Sequence, residues 1–218
     1  VMEVFADLEQ GSQAWFRARA GIPTASRFAT VMAKGEGKTR AKYMRTLAGE
    51  IITGEPAEQF SNAHTDRGNA MEDEARETYA FINGVEPMRV GFIRNGNRGA
   101  SPDSLIGSNG GLEIKTAIPD IQIDRLERGV LPSEHKAQVQ GNLWLAEREW
   151  WDFVSYRPRL PMFQIRVYRD ETYIANMSSE IDRFNEELAD LVERIRNYDK
   201  PSLTMGDLPE SARYLMAG

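Results

Sequence analysis

Between Pro87 and Ala117 the chain cannot run as one continuous helix or strand. Three short apolar-rich segments, Pro87 to Ile93, Gly99 to Ile106 and Gly111 to Ala117, are cut apart by Asn95-Gly96, Asn97-Arg98-Gly99 and Ser108-Asn109-Gly110-Gly111. Asn-Gly and Gly-Gly steps take up tight-turn conformations at low cost, so the spacing predicts antiparallel strands in a β-meander. Within it, Ser101 to Thr116 reads as two strands joined by a Gly/Asn-rich loop, with Asp103 near one strand end and Glu113 and Lys115 on the next strand. Side chains alternate along a strand, which sends Glu113 and Lys115 to one face and Leu112 and Ile114 to the other. An Asp, a Glu and a Lys gathered on an apolar strand pair are costly unless something pairs them, and a divalent cation held by the carboxylates is one such partner.

Helical patterns flank the meander on both sides. Ser12 caps a predicted helix over residues 13–19 that Gly21 stops, and Thr24 caps a second over residues 25–32. Thr39 to Ile52 carries apolar residues at helical spacing until Gly54 and Pro56, and Asn62 to Phe81 is the longest helical stretch of the first half. After the meander come a short helix and loop over 119–129, a helix capped by Ser133, two strands over 150–156 and 162–168, and a helix from Glu171 to Tyr198. This order predicts an α/β fold with a central mixed β-sheet flanked by helices, one domain over residues 1–200, and a tail or oligomer contact over 201–218.

Composition narrows the chemistry. The 218 residues contain no cysteine, which removes disulfides, thiolate zinc sites and thiol nucleophiles, and only two histidines, His64 and His135, which argues against a multi-histidine metal centre. Any metal is then expected to be a hard cation held by oxygen. No apolar run has membrane-spanning length and residues 1–4 lack the layout of a secretion signal, so a soluble cytoplasmic protein is expected. The net charge of −6 argues against a nucleic-acid binder, but its distribution does not. Arg17, Arg19, Arg27, Lys34, Lys38, Arg40, Lys42 and Arg45 form a basic stretch, while residues 180–193 are acidic, a pattern compatible with a local phosphate-binding channel or with a solvated helix face.

Pro102-Asp103 followed by Glu113-Ile114-Lys115 matches the strand pattern of the PD-(D/E)xK nucleases. Three more blocks accompany it. Trp15 to Ser26 resembles the W-x-x-x-R-x-G-x-x-T-A-S block of the phage lambda exonuclease, or YqaJ-like viral recombinase, family. Gly68 to Arg76 resembles that family's G-x-x-x-E-x-x-A-R helix, and Ala137-Gln138-Val139-Gln140 its A-Q-V-Q helix. All four stand in family order over about residues 12 to 160.

The resemblance implies a restriction-endonuclease-like core and a 5'-to-3' exonuclease acting on double-stranded DNA ends. It assigns Asp103, Glu113, the backbone carbonyl of Ile114 and Glu72 to two Mg2+ ions, with Mn2+ able to substitute. Two-metal sites of this kind hold their ions about 3.5–4 Å apart. Lys115 would hold the attacking water, and the Gln138 amide would orient that water or a phosphate oxygen. Arg19, Ser26 and Ser101 would receive the 5'-phosphate, Ser26 from the first turn of its helix. A homotrimer, a single-strand annealing protein as partner, and a phage or prophage origin in a bacterial host follow from the same resemblance. Family members place apolar or basic residues ahead of the Glu72 helix to split the terminal base pair, where this chain has His64-Thr65-Asp66-Arg67. An endonuclease or 3'-end nuclease of the same fold, or a catalytically silent DNA-binding module, are the alternatives.

Overall fold

A computed structural model describes residues 2–33, 37–57 and 63–198, with backbone alone over 63–69. The expected tail at 201–218 and the side chains of the His64-to-Arg67 run lie outside the described residues. Strand β1 (Met2–Phe5) is followed by α1 (Gln13–Arg19), a 3-10 turn (Ala25–Arg27), α2 (Phe28–Met32), α3 (Lys38–Thr53) and α4 (Ala63–Asn83). The middle of the chain forms β2 (Pro87–Met88), β3 (Phe92–Asn95), β4 (Arg98–Ala100), β5 (Ser104–Ile106) and β6 (Gly110–Thr116). Then come α5 (Pro119–Arg128), α6 (Ser133–Leu145), β7 (Trp150–Tyr156), β8 (Phe163–Tyr168) and α7 (Glu171–Arg196).

The main sheet has five strands in the order β2-β5-β6-β7-β8, antiparallel except for the central β6–β7 pair, which is parallel. A parallel pair needs a crossover, and α5 with α6 supplies it. The fold is therefore mixed α/β with a central sheet flanked by helices, as expected. The predicted meander is divided, however. β3 and β4 pair with β1 in a separate three-stranded sheet, while β2 and the β5–β6 hairpin belong to the main one. Pro102, which has no N–H to give a ladder, stands where the chain leaves one sheet for the other. The N-terminal strand, absent from the sequence expectation, lies against β3 in the register Val4↔Ile93.

Alternation along β6 and β7 decides what each face meets. Leu112, Ile114, Val154 and Tyr156 pack with Ala75 and Tyr79 of α4 on one side. Trp151 and Phe153 pack with Val139 and Leu143 of α6 on the other. Behind α6 lies a helical layer in which Phe28, Tyr43, Leu47, Ile181, Phe184 and Leu188 join α2, α3 and α7. Gly111 lets a tryptophan lie flat against the central strand, since a Cβ there would stand 2.3 Å from the Trp151 ring. The acidic α7 partly neutralises the basic stretch: Glu187 accepts from Nη1 and Nη2 of Arg40, at 2.6 and 3.1 Å. Among the described residues no helix is long and apolar enough to cross a membrane.

Candidate active site

β6 carries the centre of the site. Glu113 points to the α6 side and is 1% exposed, an environment that demands partners for every oxygen. Its Oε1 accepts from Lys115 Nζ at 2.5 Å and from Gln138 Nε2 at 2.6 Å, and its Oε2 accepts from Asn142 Nδ2 at 3.0 Å. Gln138 and Asn142 are four residues apart on α6, one turn along the same face. Asp103, immediately before β5, is tied to β6 by the Ile114 N–H, which donates to Oδ2 at 2.5 Å. The sheet and α6 thus bring Asp103, Glu113, Ile114, Lys115 and Gln138 together.

Glu72 reaches the same region from α4. It shares with Asp103 a cavity of about 420 Å3 that Asp73, Arg76, Arg89 and Gln10 also line. Its Oε1 is held by Arg76 Nη2 at 2.5 Å, while Arg76 Nε donates to Ser104 Oγ at 3.0 Å. Among the described residues no three Asp, Glu or His side chains already close around one point as a metal cage. The electrostatics leave room for a cation all the same. Burial, then the charges of Glu113 and Glu72, push the Asp103 carboxyl well above the usual carboxylate range. Burial alone would lower the Lys115 ammonium, but Glu113 and Asp103 outweigh it and hold the lysine charged. Three carboxylates with one lysine and one shared arginine form an all-oxygen donor set short of positive charge, which fits a hard divalent ion once Glu72 turns from Arg76.

A second cavity, of about 490 Å3, opens between α1, the 3-10 turn and α3. Arg19, Arg27 and Lys42 line it together with the hydroxyls of Thr24, Ser26, Thr39 and Thr46. Arg19 lies over the Trp15 ring at 3.8 Å, and Arg27 over Tyr43 at 4.8 Å, contacts that aim both guanidinium groups. Arg19 and Ser26 are therefore brought together. Ser101 is not: it does not line this cavity, and its hydroxyl accepts from Trp15 Nε1 at 3.0 Å. Trp15 also donates to the Gly91 carbonyl at 2.9 Å, so the indole stands between the cavity and the strand that leads to Asp103. Two local expectations change. Thr24 makes no side-chain cap and instead lies 3.4 Å from Ser26 Oγ, and Ser26 sits in a three-residue 3-10 turn, too short for a helix-terminus anion site.

Asn142, Arg76, Arg27 and Lys42 were missed as site residues. Asn142 had a signal, its four-residue spacing from Gln138. Arg27 and Lys42 lie in the basic stretch, but which of its members share a cavity is decided by how α3 packs. At the far end of β6, His135 of α6 meets Arg125 of α5, whose Nη2 stands 3.3 Å from Nε2 of the ring. Burial, with Lys115 and Arg125 nearby, pushes that imidazole down to about 4.

The profile of the YqaJ-like viral recombinase domain matches residues 14–149. An alkaline exonuclease, LHK-Exo, from Laribacter hongkongensis is 36% identical, with 86% of this chain and 97% of that chain covered and a TM-score of 0.79. Its complex with dAMP gives the same values. A phage-related exonuclease from Haemophilus somnus 129PT, 16% identical over 80% of this chain and 96% of that one, shares the fold at a TM-score of 0.58. No curated protein sequence matches significantly.

Proposed function

The chain belongs to the YqaJ-like viral recombinase family, and from that premise we propose that it is a Mg2+-dependent 5'-to-3' exonuclease on linear double-stranded DNA. It releases mononucleotides and leaves a 3' single strand for recombination. The observation that carries this reading is the junction of Glu113 and Lys115 on β6 with Asp103, which is bonded to the same strand and shares a cavity with Glu72.

Asp103, Glu113 and the Ile114 carbonyl would hold Mg2+, with Glu72 swinging in from α4, and the ions would supply the charge that acidifies a water and steadies the leaving oxygen. Lys115, kept charged by its carboxylate neighbours, holds that water and favours its hydroxide form; it is not itself the base. Gln138, whose amide is anchored on Glu113, stands at the edge of the same group to orient the water or a phosphate oxygen. Attack forms the bond from the water oxygen to phosphorus and breaks the bond to the 3' oxygen of the terminal nucleotide. The shortened strand then begins with a fresh 5'-phosphate.

That end is what the Arg19 and Ser26 cavity suits. A guanidinium forks onto two phosphate oxygens, hydroxyls donate to the rest, and Arg27 and Lys42 add charge. Ser101 serves this cavity only through Trp15, or after its hydroxyl turns. A homotrimer, a single-strand annealing protein as partner, and action in the cytoplasm of a bacterial host belong to the same proposal and rest on the family alone.

The test is a linear duplex carrying different labels at its 5' and 3' ends, incubated with Mg2+ beside a closed circle. We expect the 5' label to leave first, as a mononucleotide, and the circle to stay intact. First release of the 3' label, or cutting of the circle, would transfer the chain to the alternative nuclease readings. No cutting at all, with DNA binding that survives chelation, would make it a binding module.

A further inference from the structure

An ionised carboxylate offers about four lone-pair positions, two on each oxygen. In Glu113 both positions on Oε1 are taken, by Lys115 Nζ at 2.5 Å and Gln138 Nε2 at 2.6 Å. One position on Oε2 is taken by Asn142 Nδ2 at 3.0 Å. A single position is left, and it lies on Oε2. Of the three, Asn142 is the least free to step aside. Asn142 is 1% exposed, and α6 is seated so closely that a Cβ on Gly141 would stand 2.7 Å from the Phe28 ring. The carboxylate can only accept, so the Asn142 and Gln138 amides must present their NH2 groups to it.

We propose that Gln138 and Asn142 restrict Glu113 to one-point coordination, and that this makes the site select a small six-coordinate cation over a larger one. Mg2+ demands near-ideal octahedral geometry and takes carboxylates at one oxygen, whereas Ca2+ accepts six to eight oxygens and commonly uses both oxygens of a carboxylate. A Glu113 whose Oε1 is saturated cannot give the second oxygen that Ca2+ would use. Asn142 is then a positioning residue: it touches neither cation nor DNA, but fixes the plane in which Glu113 presents its free lone pair.

The inference rests on the reading that Glu113 ligates Mg2+, and calorimetry of the full chain without DNA separates the two. Mg2+ alone and Ca2+ alone are titrated into the wild type, Asn142→Ala and Gln138→Leu, with the thermal midpoint of each protein recorded. Loss of a residue that orients a metal ligand costs about 10–100-fold in affinity. We expect Mg2+ binding to weaken by that much in both variants while Ca2+ binding holds in Asn142→Ala and improves in Gln138→Leu, which frees a position on Oε1, so that the Ca2+-to-Mg2+ affinity ratio rises about tenfold or more in each. Gln138→Leu, at a half-buried site, carries the test should the buried Asn142→Ala fail to fold. An unchanged ratio in a folded variant overturns the selectivity proposal and leaves the metal reading standing. A wild type that binds neither cation overturns the metal reading first, and this proposal with it.

Discussion

Two buried carboxylates stand on neighbouring strands of the main sheet, on opposite faces, and the protein treats them in opposite ways. Asp152 of β7 faces α4 and is fully buried. It accepts from Tyr79 Oη at 2.6 Å and from both Arg166 Nε and Nη2, at 2.8 and 2.9 Å, in a forked ion pair, and Arg166 is itself stacked at 3.7 Å on Trp150. A permanent cation with matching geometry closes the account of that charge. Glu113 of β6 faces α6 and is buried almost as deeply. Its donors are two neutral amides and one lysine shared with a carboxylate cluster, and Asp103 beside it is pushed toward protonation. Burial alone therefore does not mark a functional acid. What sets Glu113 apart from Asp152 is a shortfall of positive charge, and under the proposed function that shortfall is what a metal would make good.

The largest expected effect bears directly on that contrast. Lys115→Ala should lower Mg2+-dependent nucleotide release at least about a hundredfold in a protein that still folds cooperatively. Arg166→Ala should strand Asp152 in the sheet and cost about 3 kcal/mol in denaturant unfolding, the low end for a broken buried pair because Arg166 is half-exposed. A Lys115→Ala protein that digests DNA normally, or an Arg166→Ala protein as stable as the wild type, would end the comparison. A smaller effect tests whether the open region extends to the second cavity. Removing the 5'-phosphate from a duplex should slow initiation about tenfold in the wild type and much less in Arg19→Ala. Equal rates on the two ends in the wild type would detach that cavity from the reaction.

The smallest effect concerns His135, at the border of the open region. Its folded value is depressed to about 4, so between the usual imidazole range near 6.5 and that value the unfolded chain binds the extra proton and the folded chain does not. Stability contributed by the neutral ring is present above that window and lost as pH falls through it. The wild type should lose about 1 kcal/mol relative to His135→Gln on going from pH 7 to 4, less than full linkage because solvent screens a half-exposed ring. A stability difference that stays flat across that range would remove His135 from the electrostatics of the site.

How much could be read beforehand follows from range along the chain. Asp103, Glu113 and Lys115 were readable because a hairpin turn and a period of two fix their mutual placement within thirteen residues. Gln138 came from the family resemblance, and Glu72 with it. The split of the meander was not readable, since it depends on β1 arriving from the far end of the first half to pair with β3. Ser101 was placed in the phosphate cavity by analogy, whereas the Trp15 indole claims its hydroxyl, a contact between residues 86 apart. Asp152 shows the converse: a carboxylate in an apolar strand looks costly until Arg166, opposite it across the β7–β8 hairpin, and Tyr79, remote in sequence, are seen to enclose it.

The parallel pairing of β6 with β7 carries a kinetic consequence. Antiparallel neighbours can zip from a turn, but this pair waits for α5 and α6 to form and dock, and non-local pairings of that kind are slow. Gln138 and Asn142 ride on the docking helix, so Glu113 gains its amide donors in the same event that seats the central strands. The docking that pairs the two central strands is thus also the one that encloses Glu113.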